Sequence, residues 1–295
     1  MSAPYFTLPE FDYVRPKSLE EALKILEEKG EEAKIFNGGI GILGFMKERM
    51  LEANLLVDIK GIKELKRIEY IPGKGLIVGA TVTANELIEW FDKNPDVREK
   101  FRAVYESTKK IADAILRNKA TIVGNILEGL SYTDAPAAAL IFDAELHAVS
   151  LKGDRWIPVD GAVMGPGMTV LEPNEIVTEI LYKEPPEGAK SGYVKFAYGS
   201  EYGLVNVAAL VANLDEPEKR IVRIAISSAT PLPYRARSAE EVFKKPGRFT
   251  DLVDEAVKKI QEEAEFMDEP HVSAEYRRYL TGILVTKLLI QLARR

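Results

Sequence analysis

This chain contains no cysteine and only two histidines, His147 and His271. The first absence excludes disulfides, thiolate metal sites, iron–sulfur ligation and a cysteine nucleophile. The second leaves a histidine-rich metal site or a Ser-His-Asp triad little to draw on. No apolar run reaches the ~18 residues at which a membrane span is expected. The opening Met-Ser-Ala-Pro-Tyr-Phe has no basic stretch leading into an apolar core. No signal peptide is therefore expected, and the expected compartment is the cytoplasm. A surplus of positive charge is also missing: the net charge of −6 argues against a dedicated nucleic-acid binder. Repeats and low-complexity segments are absent. What remains, 46% hydrophobic and 29% charged residues in a chain of 295, is enough for two or three packed lobes.

The most informative stretch spans residues 34–47, Lys-Ile-Phe-Asn-Gly-Gly-Ile-Gly-Ile-Leu-Gly-Phe-Met-Lys. A short apolar strand runs into a glycine turn (Gly38, Gly39, Gly41) and then into a helix-compatible run. Glycines let backbone N–H groups approach a phosphate closely, and a helix start adds a positive end. The spacing matches neither the dinucleotide fingerprint nor the Walker motif. Alone, it reads more readily as a tight turn between strand and helix than as a phosphate site.

Around it the chain alternates. Ser18 is placed to cap a helix with Glu21 three residues on, and Leu19, Ala22, Leu23 and Leu26 share one face. Strands are expected at 34–36 and 54–59, then at 65–71 and 75–80 around Pro72-Gly73. Helices follow at 83–90, capped by Thr83, and over 97–114 as one longer element. An apolar helix at 137–142, β-structure over 145–159 and a strand at 176–182 complete this part. Pro185, Pro186 and Gly188 mark a linker. Beyond it come strands at 193–197, 204–211 and 222–227 and helices at 239–243, 250–265 and 273–292. The expected domains are residues 1–60, 61–184 and 185–295.

A second unusual segment, Arg117-Asn118-Lys119-Ala120-Thr121-Ile122-Val123-Gly124-Asn125, offers a hydroxyl, a permissive backbone and an amide close together. That set suits phosphate or ribose oxygens. Arg117 either adds charge to that set or joins a surface ion pair, and the pair is favoured. Asp134 either accepts from a hydroxyl or caps the helix near Pro136, and the cap is favoured. Lys195 is the one charge on an apolar strand and either lines a cleft or faces solvent. His147 reads as a satisfied, partly buried side chain. The last helix carries too many charges for a core element and is expected to pack one face only.

Taken together, these segments resemble the FAD-binding subunit of the molybdenum hydroxylases: the medium chain of carbon monoxide dehydrogenase and aldehyde oxidoreductases, and the flavin portion of xanthine dehydrogenase. The resemblance runs from Phe11-Asp12-Tyr13-Val14-Arg15-Pro16 through Asn37-Gly38-Gly39, Val57-Asp58-Ile59 and Val78-Gly79-Ala80-Thr81. It continues in Arg117-Asn118, Thr121–Asn125 and Asp134, and ends at His271-Val272-Ser273-Ala274-Glu275-Tyr276. It implies an α+β chain: a two-lobed FAD-binding fold of the vanillyl-alcohol-oxidase-like type followed by a C-terminal α/β sandwich domain. It also implies an electron-transfer subunit, without catalytic or metal-binding residues of its own. A large subunit would hold the molybdenum cofactor and a small one two [2Fe–2S] clusters, as a heterotrimer or a dimer of heterotrimers.

By the same resemblance Asn37, Gly38, Gly39, Ile40 and Gly41 wrap the pyrophosphate of FAD, with Thr121, Gly124 and Asn125 on the other side. Asp134 holds a ribose or ribityl hydroxyl, and Ile176 or Val177 touches the flavin or adenine surface. Lys195 approaches the isoalloxazine, Tyr202 lies in its neighbourhood, and Thr81 counts among the cofactor-binding positions. The chain departs from the family's Ala-Gly-Gly-His-Ser loop at Ile40 and Gly41, and from Gly-Thr-Ile-Gly-Gly-Asn at Val123. Ile115 stands where the family has glutamine. Each lost hydrogen bond costs ~0.5–1.5 kcal/mol, while backbone donors at Gly38, Gly39 and Gly124 are expected to survive, so FAD is expected to be retained. The alternatives are a flavin-free scaffold in the same complex and a free-standing flavin oxidase or reductase.

Overall fold

The computed structural model describes residues 7–197 and 202–295. The opening six residues, on which the expectation of no signal peptide rests, lie outside them, as do 198–201 of the C-terminal part.

The first sheet is wholly parallel. Strands β1 (Asp12–Val14), β2 (Ala33–Phe36) and β3 (Leu55–Asp58) lie in the order β1-β3-β2. Helix α1 (Leu19–Lys29) joins the first two, and α2 (Ile40–Lys47) joins β2 to β3. The start of α1 is as expected: the Ser18 hydroxyl accepts from the Glu21 N–H, while the Glu21 carboxylate accepts from the Lys17 N–H at 2.7 Å. Ala22, Leu23 and Leu26 are buried against β3 and its flank.

The second sheet is antiparallel. It begins with β4 (Ile68–Ile71) and β5 (Gly75–Gly79), all five residues of the latter buried. Helices α3 (Ala84–Lys93), α4 (Pro95–Lys100), α5 (Arg102–Thr108), α6 (Ile122–Leu127) and α7 (Ala135–Ile141) then intervene. Strands β6 (Glu145–Ser150) and β7 (Gly153–Pro158), a small hairpin of β8 (Val163–Gly165) and β9 (Met168–Thr169), and β10 (Ile176–Lys183) follow. The sheet order is β4-β5-β10-β6-β7. Every residue of α7 is buried, which is why Ala135–Ile141 reads as apolar all round.

The single helix expected over 97–114 is broken instead. Phe101, at φ −106° and ψ 37°, leaves helical geometry to bury its ring between Tyr70 and Phe142, with centroids 6.1 and 5.1 Å away. Helix α5 stops at Thr108, where the Ser107 and Thr108 hydroxyls both donate back to the Val104 carbonyl, at 3.0 and 2.7 Å. Such back-bonding competes with helix continuation. The 163–169 hairpin was not expected, because its strands are too short to show a period.

The third sheet has β11 (Lys190–Ala197), β12 (Gly203–Ala212), β13 (Ile221–Ser227) and β14 (Tyr234–Arg235) in sequence order, all antiparallel. Helices α8 (Arg237–Val242), α9 (Phe249–Glu263) and α10 (Ala274–Arg294) complete it. Helix α10 lies on β11 and β12, while α5 and α7 from the preceding part also pack on this sheet. Ser273 caps α10 as expected. The expectation that its charges stay outside the core is corrected at Arg277, which is fully buried. Its guanidinium donates to the Ser228 carbonyl and pairs with Glu269, so the charge is neutralised in place. Among the described residues no helix is long and apolar enough to cross a membrane.

Candidate functional site

Where β2 ends, the chain turns through Asn37-Gly38-Gly39 into α2. Gly39 is the N-cap at φ 84°, a left-handed conformation natural to glycine, and no side chain caps the helix. The first N–H groups of α2 have no intrahelical acceptor, so the helix offers an open, positive end. Gly38 is glycine for a different reason: a Cβ there would lie 2.3 Å from the Lys119 carbonyl oxygen. The two loops singled out in the sequence thus meet backbone to backbone.

Asn37 ties them together. Its Nδ2 donates to the Ala80 carbonyl at 2.7 Å and to Thr121 Oγ1 at 3.1 Å, while its Oδ1 is buried without a partner. Thr121 is the N-cap of α6, and its hydroxyl also accepts the Gly124 N–H at 3.1 Å. That contact corrects the expectation that the Gly124 N–H is free for a phosphate. Gly124 serves by lacking a Cβ, which would sit 2.8 Å from Thr121 Oγ1. Thr121→Val removes an acceptor used twice and is expected to cost about 1–2 kcal/mol. Urea denaturation should show the lower midpoint with an unchanged slope.

The expected cap at Asp134 is corrected as well. The Ala135 N–H is taken by Asn125 Oδ1 at 2.9 Å, and the Asp134 side chain caps nothing. Its carboxyl instead accepts from the Tyr193 hydroxyl at 2.7 Å and from Lys195 Nζ at 2.9 Å. Lys195 also donates to the Lys110 carbonyl at 3.1 Å. Both charged side chains are almost fully buried, 6% exposed for Lys195 and 5% for Asp134. Burial pushes the Asp134 carboxyl up to about 6, against the pull of Lys195 and Tyr193.

These elements enclose a cleft of about 1000 Å³. Asn37, Gly38, Gly39, Ile40, Gly41, Thr121, Gly124, Asn125, Asp134, Ile176, Val177 and Tyr202 all line it. Two expected residues do not. Thr81 spends its hydroxyl on the Leu65 carbonyl at 2.9 Å and lines a separate cavity of about 270 Å³ beside Lys60 and Lys66. Lys195 is not among the lining residues; its ammonium is bonded to Asp134, which is. Ile115 is 78% exposed and away from the lining, so the missing glutamine takes no polarity from the cleft. Val123 reaches the lining but is itself packed in the core. Among the described residues Arg117 has no ion-pair partner; its guanidinium braces the carbonyls of Lys109, Ile111 and Ala112 at 3.3, 2.9 and 3.0 Å. His147 is satisfied, between Asp154 at 2.9 Å and the Thr178 hydroxyl at 3.1 Å, and stacks on Trp156.

Two cleft residues escaped sequence reasoning. Tyr132 stands edge-on to Tyr202, with centroids 4.4 Å apart. Glu128 presents its carboxyl beside Gly41, and burial pushes it up to about 7. The missing side chain at Gly41 is the one sequence signal that a bulky neighbour lies there.

The donor set suits FAD. An uncapped helix start reached through glycines matches a diphosphate, and the orphaned Asn37 Oδ1 matches a sugar or ribityl hydroxyl. Ile40, Ile176 and Val177 supply apolar surface for a ring system.

Comparison with known proteins bears on the same region. Residues 9–181 match the family model described as the FAD binding domain in molybdopterin dehydrogenase. Residues 197–292 match that of the carbon monoxide dehydrogenase flavoprotein C-terminal domain. The chain is 29% identical over 281 residues to the carbon monoxide dehydrogenase medium chain of Hydrogenophaga pseudoflava, covering 95% of this chain and 96% of that one. It is 29% identical over 287 residues to the nicotine 6-hydroxylase medium subunit of Paenarthrobacter nicotinovorans, covering 96% and 98%. The carbon monoxide dehydrogenase structure from Hydrogenophaga pseudoflava that lacks the Mo-pyranopterin moiety superposes with a TM-score of 0.88 at 29% identity, over 96% of this chain and 97% of that one. The chain belongs to the family of FAD-binding domains of molybdopterin dehydrogenases, as a medium, FAD-carrying oxidoreductase subunit of the molybdenum hydroxylase type.

Proposed function

We propose that this chain holds FAD in the cleft, takes electrons from the [2Fe–2S] clusters of a small partner subunit and delivers them to an external acceptor. Substrate oxidation then belongs to a large subunit carrying the molybdenum cofactor, and the choice of substrate lies there. The observation that carries this reading is that the open end of α2 and the Thr121–Asn125 segment line one cleft, with Asn37 from the α2 turn bonded across to Ala80 and Thr121. Bound FAD supplies a carrier able to take up electrons singly and pass them on singly or in pairs.

The chain's own residues bind and orient. The first N–H groups of α2 hold the pyrophosphate, and Asn37 Oδ1 accepts from a hydroxyl of the cofactor. Ile40, Ile176 and Val177 would cover a ring system of the cofactor and exclude water from it, and Tyr132 and Tyr202 line the same cleft. Thr121, Gly124 and Asn125 keep the opposite wall in register through their bonds to Asn37, to each other and to Ala135. Lys195 and Thr81 act through their neighbours, Lys195 by fixing Asp134 and Thr81 by fixing the turn at Leu65. In this reading the lobes that face FAD are residues 1–60 and 61–184, and residues 185–295 form the C-terminal domain. The assembly is a cytoplasmic heterotrimer, or a dimer of heterotrimers.

Purification from the native source, followed by metal analysis and absorbance spectroscopy, tests this. Flavin bands at roughly 375 and 450 nm are expected, together with partner chains that carry molybdenum and iron. A chain that takes up no flavin even when FAD is supplied would be a scaffold. Turnover of an alcohol or NAD(P)H by the purified chain alone would make it a free-standing flavoenzyme.

A further inference from the structure

Glu128 follows the last turn of α6 and turns its carboxyl into the cleft without a hydrogen-bond or ion-pair partner among the described residues. Its neighbour is the first turn of α2. A Cβ at Gly41 would lie 2.6 Å from Glu128 Oε1 and 2.8 Å from its Cδ, so Gly41 is what makes room for the acid. The positive end of α2 suits a carboxylate while it is empty, but once another anion is seated there the two negative charges repel unless the acid is neutral.

We propose that Glu128 couples FAD binding to a proton: as the neutral acid it donates a hydrogen bond to the cofactor, and as the carboxylate it repels the pyrophosphate. The proposal rests on the reading that the start of α2 holds that pyrophosphate.

Burial pushes Glu128 up to about 7, so in the empty cleft it is neutral below that pH and charged above it. FAD carries its negative charge throughout, and binding above that point must bring in a proton. Affinity therefore falls as pH rises past 7, approaching ~10-fold per pH unit. Other charged groups face the same space. Helix α2 contributes Lys47 and the residue just past its end Glu48, the segment after α6 contributes Tyr132 and Asp134, and Tyr202 lines the same cleft. Glu269 reaches Tyr132 through its field. The 163–169 hairpin contacts Glu128 through the Gly167 N–H, which donates to the Glu128 carbonyl at 2.9 Å and does not titrate. Asp134 is the competing acid, pushed up to about 6.

The experiment is FAD titration of the full-length apo chain by flavin fluorescence between pH 5.5 and 8.5, roughly the span over which a group near 7 changes charge. Wild type is expected to lose ~10-fold in affinity or more between neutral pH and the upper limit, and Glu128→Gln to stay flat and bind the tighter of the two there. A flat wild-type profile overturns the proposal. So does a slope that survives in Glu128→Gln, which would belong to Asp134. Proton uptake by wild type on binding FAD, read by calorimetry in two buffers at alkaline pH, gives an answer that needs no variant; zero uptake overturns the proposal. Absence of FAD binding at every pH overturns the cofactor reading itself, and the two failures are thereby told apart.

Discussion

Lys195→Met is expected to destabilise the chain by about 3–5 kcal/mol at pH 8. Methionine fills the volume of the lysine stem, so the loss is not a cavity effect. What it removes is the counter-charge of Asp134, which is left buried with only the Tyr193 hydroxyl as donor. An unpaired buried carboxylate is among the few changes with an effect of this size. The double variant Lys195→Met/Asp134→Asn should recover most of the loss, because both ends of the pair are then neutral. The pH dependence has a defined sign. A carboxyl raised in the folded state binds its proton there before it does in the unfolded chain, so its contribution to stability declines as pH rises. For wild type that decline runs from about 4 to about 6 and is flat above. In Lys195→Met the window extends upward, so the penalty at pH 5 is smaller than at pH 8. Urea melts of the three proteins at both pH values measure this. A single-variant loss below ~1 kcal/mol at pH 8 would mean that the pair behaves as an exposed one.

Gly38→Ala should lower FAD affinity by about 100-fold, close to 2.7 kcal/mol. The new methyl would meet the Lys119 carbonyl oxygen at 2.3 Å and its carbon at 3.2 Å. Both are backbone atoms, so no rotamer change relieves the clash, and the two walls of the cleft must move apart. The direct stability cost is that of overpacking, about 1–3 kcal/mol. Gly44→Ala is the control. It lies in α2, the helix that follows the Gly38 turn, a Cβ there meets nothing within 4 Å, and helix propensity alone predicts a gain of about 0.5–1 kcal/mol. Equal FAD affinity in Gly38→Ala and wild type would show that contact between the two loops is not needed for binding.

What could be read in the sequence was local or glycine-marked. Ser18 with Glu21 and Thr83 with Glu86 announce the helices they cap, because the capping bonds span three residues. The turn at Asn37–Gly41 and the segment at Thr121–Asn125 stood out by composition, and the structure brings both to one cleft. The misses come from partners that are distant in the chain. Asp134 reads as a cap in the sequence because its partners, Tyr193 and Lys195, lie 59 and 61 residues on. Lys195 reads as facing either cleft or solvent for the same reason. Phe101 breaks a helix whose local pattern continues through it, since the pull comes from Tyr70 and Phe142. Nothing in the sequence marks Glu128, because the space it fills beside Gly41 arises only from packing between segments 87 residues apart in the chain.

The position of β10 has a consequence for the order of synthesis. It sits at the centre of the second sheet, with Glu179 opposite Gly79 on one side and Ile180 opposite Leu146 on the other. Until it emerges from the ribosome, the hairpins β4-β5 and β6-β7 exist as two separate ribbons, each with an unpaired apolar edge. Such edges invite wrong pairing, and closing them requires the slow, long-range step that limits folding. The same strand brings Ile176 and Val177 to the cleft. A nascent chain therefore has no complete cofactor site before this strand is translated, and its most aggregation-prone period falls between the second hairpin and this strand.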